Sequence, residues 1–174
     1  MNIFVSCSSS DYIDDKYKEL GRKVGKFIGE NKHTLVFGSS ESGIMGEVYR
    51  NTKLYGGKVK AIVPKDAYGV LGKVECDELI EVDKDTDQFF RLVHDNDVAI
   101  VLPGSVGTLA ELALLIHYNH FLKGSKKVLI VNEYGFFDDM KKMFKKILDE
   151  NFAYDVGPVL YEFVDSIEEA LDKI

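Results

Sequence analysis

Three short stretches of this chain gather residue types that bind anions. One is Pro103-Gly104-Ser105-Val106-Gly107-Thr108, followed three positions later by Glu111; the second is Ser8-Ser9-Ser10; the third is GSSESGIMG, with Gly38, Ser39, Ser40, Gly43 and Gly46. Glycine lets a backbone approach a ligand, and hydroxyls with the unpaired amides of a helix start donate hydrogen bonds to an anion. A phosphate is the natural occupant. The carboxylate adds a second capability, stabilising positive charge as it develops and orienting water. Each loop alone also reads as ordinary turn geometry, because short connections use Gly and Ser freely, and Glu111 alone also reads as a charge that caps its helix. Three such loops in one chain point to a site.

The elements around these loops are legible as alternating short apolar runs and amphipathic stretches. The runs cover 2–6, 34–37, 58–63, 78–82, 98–102, 127–132 and, more weakly, 160–164. Most are nearly continuous in β-branched or large apolar residues, the pattern of parallel strands covered on both faces. Helical spacing fills 14–30, 43–55, 86–95, 107–122, 136–149 and 166–173; in the first, Tyr17, Leu20, Val24, Phe27 and Ile28 recur at threes and fours. Residues 65–77 have weak periodicity and read as an irregular loop or poor helix. This rhythm predicts an α/β fold, a single domain over 1–174 with an open parallel sheet of about seven strands and helices on both faces. In such sheets ligands bind at the carboxyl ends of strands, where the strand order reverses, and all three anion-friendly loops follow strands. None of them gives the GxGxxG dinucleotide fingerprint or a P-loop.

The totals bound the function. A chain of 174 residues, with 45% hydrophobic and 29% charged residues, has the composition of a soluble globular domain. A formal charge of -7 argues against nucleic acid or an anionic membrane as partner, so a bound phosphate must be held locally. Cys7 and Cys76 have no metal-like spacing and are too few for a disulfide framework. With no targeting segment at the start of the chain, a reduced, cytoplasmic protein is expected. His117 and His120 stand at i and i+3, a spacing that can bind metal, but no third ligand accompanies them, and neither metal nor cofactor is expected.

PGSVGTLAE resembles PGGxGTxxE, the signature of the Lonely Guy family of cytokinin-activating nucleoside 5'-monophosphate phosphoribohydrolases, often mislabelled lysine decarboxylases. VFGSSESGIMG is similar to that family's VYGGGxxGLMG loop, VSCSSS to its FCGSS opening, and KKVLIVNEYGFFDDM to its KPVxLLNxxGYYDxL stretch. The resemblance spans about residues 2–150. It implies a Rossmann-like fold, usually a homodimer, that cleaves the ribose–base bond of a purine nucleoside monophosphate such as AMP or an N6-modified analogue. It assigns Glu111 the stabilisation of the oxocarbenium-like sugar. It also assigns Ser9, Ser10, Gly38, Ser39, Ser40, Gly43, Gly104, Ser105, Gly107 and Thr108 the phosphate and ribose, and places Met45 near the base or in the core. The alternative is a non-catalytic protein that binds a nucleotide or phosphorylated cofactor, like the molybdenum-cofactor carriers related to that family. A lysine-decarboxylase chemistry finds no lysine in a suitable setting.

This chain departs from the pattern at two kinds of position. Ser39, Ser40 and Ser105 stand where the family has glycine, so either the hydroxyls join the hydrogen bonding or the pocket is narrowed. Counting back from Asp97, Gln88 falls where the family carries an arginine, with Phe89 at the following lysine. Arg91 lies three residues on, close to one helical turn, and is the expected substitute cation. Phe89, Phe90, Leu114, Leu115 and Phe121 are candidates for a dimer face.

Overall fold

The structure, a computed structural model, describes residues 1–67, 74–121, 125–153 and 160–174. Its strands are β1 (Asn2–Ser6), β2 (Thr34–Phe37), β3 (Lys58–Pro64), β4 (Glu78–Val82), β5 (Val98–Val101), β6 (Lys127–Val131) and β7 (Glu162–Val164). They form one seven-stranded, all-parallel sheet in the order β4-β3-β2-β1-β5-β6-β7. The chain builds outward from β1 to β4, then returns to β5 on the other flank of β1, with Ser6 opposite Val101. The order therefore reverses between β1 and β5, where crossovers leave in opposite directions and open a crevice.

The helices are α1 (Asp15–Glu30), α2 (Gly43–Leu54), α3 (Asp85–His94), α4 (Val106–Phe121), α5 (Asp138–Asp149) and α6 (Ile167–Asp172). Strand side chains alternate between two cores. Ile3, Val5, Leu35 and Phe37 pack with Leu20, Val24 and Ile28 of α1, Ile44 and Val48 of α2 and Ile167 of α6. Phe4, Val36, Ile62 and Ala99 pack with Leu92 of α3 and Leu112 and Leu115 of α4 on the opposite face. Helices thus cover both faces, which is why the central strands read as unbroken apolar runs.

Gly21, Gly25 and Gly29 form a stripe on α1 that lets α2 approach almost backbone to backbone. A Cβ at Gly25 would stand 2.5 Å from the Val48 carbonyl oxygen, and one at Gly21 would stand 2.8 Å from that of Ile44. The periodic apolar stripe gave no hint of this, because glycine inside a helix ordinarily costs about 0.5–1 kcal/mol relative to alanine. The close packing offsets that cost and fixes α2, whose first turn borders the crevice.

Element boundaries depart from the sequence reading at several ends. Strand β7 begins at Glu162 rather than 160. Helix α5 begins at Asp138 rather than 136, because Asn132 braces the preceding turn: its side chain accepts the Phe137 N–H (2.7 Å) and donates to Asp138 (2.8 Å). Of the expected irregular stretch 65–77, Lys65–Ala67 is a short 3-10 helix and 68–73 lie outside the described residues. Among the described residues no helix is long and apolar enough to cross a membrane.

Candidate active site

Glu111 sits at the reversal point. Helix α4 begins at Val106, so Glu111 lies in its second turn, beyond the positions that cap a helix. Its Oε2 accepts a hydrogen bond from the hydroxyl of Ser6, the fully buried last residue of β1. Burial pushes the Glu111 carboxyl up from 4.5 to about 7, against a smaller opposing pull from the Ser6 hydrogen bond. Desolvation is the larger cause here, because a carboxylate that leaves water loses more than one hydrogen bond returns. Cys7, also buried, has its thiol driven upward by the same desolvation and by the neighbouring Glu111.

Backbone hydrogen bonds sew the three loops together. Ser8 N–H donates to Pro103 O (3.1 Å), and Leu102 N–H to Ser6 O (2.9 Å), joining the β1 and β5 ends. Met45 N–H donates to Ser8 O (3.1 Å), joining the β2–α2 loop to the first. Gly43 N–H donates to Asp11 Oδ1 (2.8 Å), and this bond is the main reason the Asp11 carboxyl lies below its usual range. The amino end of α2 is therefore already occupied by a carboxylate of the chain itself.

The β5–α4 loop is the open one. Gly104 is required there because a Cβ would overlap the buried Thr108 side chain, whereas Gly107 faces open space and Ser105 is exposed. Ser105 O accepts Leu109 N–H (3.1 Å). A cavity of about 240 Å³ adjoins this loop, lined by Ser8, Pro103, Gly104 and Ser105 together with Ile13, Tyr17, Ile44 and Phe136.

The remaining expected residues are placed as follows. Ser9 and Ser10 are exposed; Ser10 N–H donates to Ser8 Oγ (3.1 Å) and Ser10 Oγ accepts from Tyr12 N–H (3.3 Å), so these groups shape the turn itself. Ser39 is buried with φ +70°, the left-handed region that favours glycine. Ser40 Oγ accepts Ser42 N–H (3.2 Å), and the Met45 side chain packs against the core.

Arg91 is not brought to the loops. Its guanidinium pairs with Asp95 at 3.3 Å, and Asp95 also lies 3.8 Å from Lys60 in the amino half of β3. One helical turn advances about 5.4 Å along the axis, and that advance carries Arg91 away from the carboxyl edge. Gln88 stays at that edge, its amide donating to the carbonyls of Ile62 (2.7 Å) and Gly38 (3.3 Å). Leu115, proposed for a dimer face, is instead buried in the core, while Phe89, Phe90, Leu114 and Phe121 line a surface hollow of about 560 Å³. His117 and His120 pack edge-on against Phe121, at 4.9 and 5.7 Å between centroids.

Sequence reasoning missed Ser6, Asp11 and Gln88 as structural parts of the site. Ser6 ended a strand and carried no spacing signal toward Glu111, 105 residues away.

Comparison with known proteins agrees with this geometry. Residues 1–154 match the model of the SLOG cluster4 family. A cytokinin riboside 5'-monophosphate phosphoribohydrolase of Mycobacterium tuberculosis (strain ATCC 25618 / H37Rv) is 30% identical over 88% of this chain and 82% of its own. One of Arabidopsis thaliana is 26% identical over 99% of this chain and 78% of its own. The solved molybdenum cofactor carrier protein from Chlamydomonas reinhardtii has the same fold, with a TM-score of 0.72 at 20% identity, over 99% of this chain and 94% of that one. The stitched loops, the glutamate at the reversal point and the match over most of the sequence place the molecule: this chain belongs to the SLOG cluster4 family, alongside the Lonely Guy phosphoribohydrolases.

Proposed function

We propose that this protein hydrolyses the N-glycosidic bond of a purine nucleoside 5'-monophosphate, AMP or an N6-modified analogue, to free base and ribose 5-phosphate. The observation that carries the reading is the geometry of Glu111, hydrogen-bonded to Ser6 at the sheet's reversal point and carried on the helix that the anion-friendly Gly104–Thr108 loop opens. The names of the relatives support the same reaction.

In this reading the hydroxyls and free amides of Gly104–Thr108 hold the phosphate, with the α4 dipole behind them, and C1' of the ribose lies beside Glu111. When the C1'–N bond breaks, its electron pair leaves with the base and positive charge grows on the sugar. Ionised Glu111 stabilises that charge and accepts a proton from water as the water oxygen bonds to C1'. The proton is then returned to the departing base nitrogen. A carboxyl titrating near 7 holds donor and acceptor forms in comparable amounts at neutral pH, which suits both roles.

We extend the proposal to a cytoplasmic homodimer. Cys7 and Cys76 are free. Val106, Leu109, Leu114 and Phe121 leave α4 with exposed apolar side chains, and a helix that is apolar all round ordinarily finds cover.

Incubation with AMP, following adenine by chromatography, tests the reaction. Wild type is expected to release adenine, and Glu111→Gln to be slower by at least about 100-fold. Absent release, or release unchanged in the variant, overturns it. A second reading, binding without turnover, is favoured by the engagement of Arg91 with Asp95 and by a cavity lining that holds no cation. A rise in melting temperature with AMP, unaccompanied by adenine, selects that reading.

A further inference from the structure

We propose that Tyr17 and Phe136 form the stacking wall for the nucleobase, an inference that rests on the nucleotide reading above. The lining of the cavity beside the β5–α4 loop combines two chemically different sets of residues. Ser8, Gly104 and Ser105 supply polar groups, and Tyr17 and Phe136 supply aromatic surface. A nucleoside monophosphate combines the matching chemistries, with an anion at one end and a flat heteroaromatic ring at the other. At about 240 Å³ the hollow is smaller than the roughly 300–1,000 Å³ of pockets that swallow whole ligands, so it suits the base and sugar while the phosphate rests on the open loop.

The wall is built in advance. Tyr17 meets Phe136 edge to face, with centroids 6.0 Å apart at 74°, and meets Tyr134 at 5.8 Å and 83°. Phe136 is 44% exposed and Tyr134 51% exposed, so both rings keep surface free for a ligand. Both sit on the turn braced by Asn132, in which Tyr134 takes φ +66° and Gly135 φ +70°. A non-glycine residue held in that region marks a conformation the surroundings enforce. The Lys16 ammonium stands 5.0 Å from the Tyr17 ring centre and 5.2 Å from that of Tyr134, and it forms no ion pair among the described residues. It steadies the rings by cation–π attraction and leaves a donor at the rim for acceptor atoms on the edge of a base.

Binding of AMP and of ribose 5-phosphate to wild type, Tyr17→Leu and Phe136→Leu tests the wall. Each variant's unliganded melting curve verifies folding, and Phe136, the more exposed of the pair, remains informative should Tyr17→Leu unfold. Stacking on an aromatic side chain predicts about tenfold or greater weakening of AMP in each folded variant, with ribose 5-phosphate changed less than about twofold. Wild type binding AMP no better than ribose 5-phosphate, or variants weakening both ligands alike or neither, overturns the wall and leaves the sugar-phosphate site standing. Wild type binding neither ligand overturns the nucleotide reading, and the wall with it.

Discussion

Replacing Glu111 with glutamine is expected to stabilise the protein, and to do so only where the carboxyl would be ionised. Below pH 4.5 the carboxyl is protonated in both the folded and unfolded chain, and burial carries no ionic penalty. As pH rises from 4.5 toward 7 the unfolded chain loses this proton first, so folding must recapture it and stability falls. Above about 7 the folded protein carries a sequestered anion. At about 1.36 kcal/mol per pH unit, the displacement from 4.5 to about 7 corresponds to about 3 kcal/mol. Glutamine keeps an acceptor for the Ser6 hydroxyl and nearly the same volume, so it removes the ionic penalty alone. In a chain of this size about 3 kcal/mol is roughly 6–12 °C in melting temperature. Thermal unfolding followed by circular dichroism should place Glu111→Gln above wild type by that margin at pH 8.5, and the two curves should converge near pH 4.5. A gap independent of pH, or a variant less stable at pH 8.5, refutes the reasoning that Glu111 is held against its ionisation.

Gly25→Ala places a methyl 2.5 Å from the Val48 carbonyl oxygen, and guanidinium titration should show a loss of about 1–3 kcal/mol, typical of overpacking. Ser39→Gly removes the cost of a side chain at φ +70°, about 1–2 kcal/mol, and should raise the melting temperature slightly. If AMP affinity nonetheless falls, the Ser39 hydroxyl contacts ligand. Phe121→Glu puts a charge on the exposed apolar face of α4, and sedimentation velocity should show a dimeric wild type and a monomeric variant; identical profiles reject that face as the interface.

The fold was legible because parallel strands sheltered on two faces must be apolar almost throughout, as Val98–Val101 and Val128–Val131 are. The placing of Gly104 and Ser105 just before the helix that carries Thr108 and Glu111 was legible because one loop and the start of one helix set it. What depended on the third dimension was not. Ser6 and Glu111 meet only because β1 and β5 are neighbours. Leu115 and Leu114 look alike in sequence, yet adjacent residues on a helix diverge by about 100°, and one is core while the other is exposed. Arg91 has the right angular position on α3 and the wrong axial one, since Asp95 waits four residues further along. The Gly21, Gly25 and Gly29 stripe drew no notice beside the apolar pattern, although it is the contact surface itself.

The carboxylate of Asp11 at the start of α2 sets a limit on cargo. Gly43 N–H is turned inward to Asp11 and Met45 N–H to Ser8, so of the two helices that follow the glycine-bearing loops, α4 is the one whose first turn is not met by an acid of the chain among the described residues. In the nucleotide reading proposed above, a ligand with one terminal phosphate meets the α4 end alone, whereas a second phosphate reaching toward α2 would meet the Asp11 carboxylate. Discrimination by the number of phosphates would then come from a residue that need not touch the ligand.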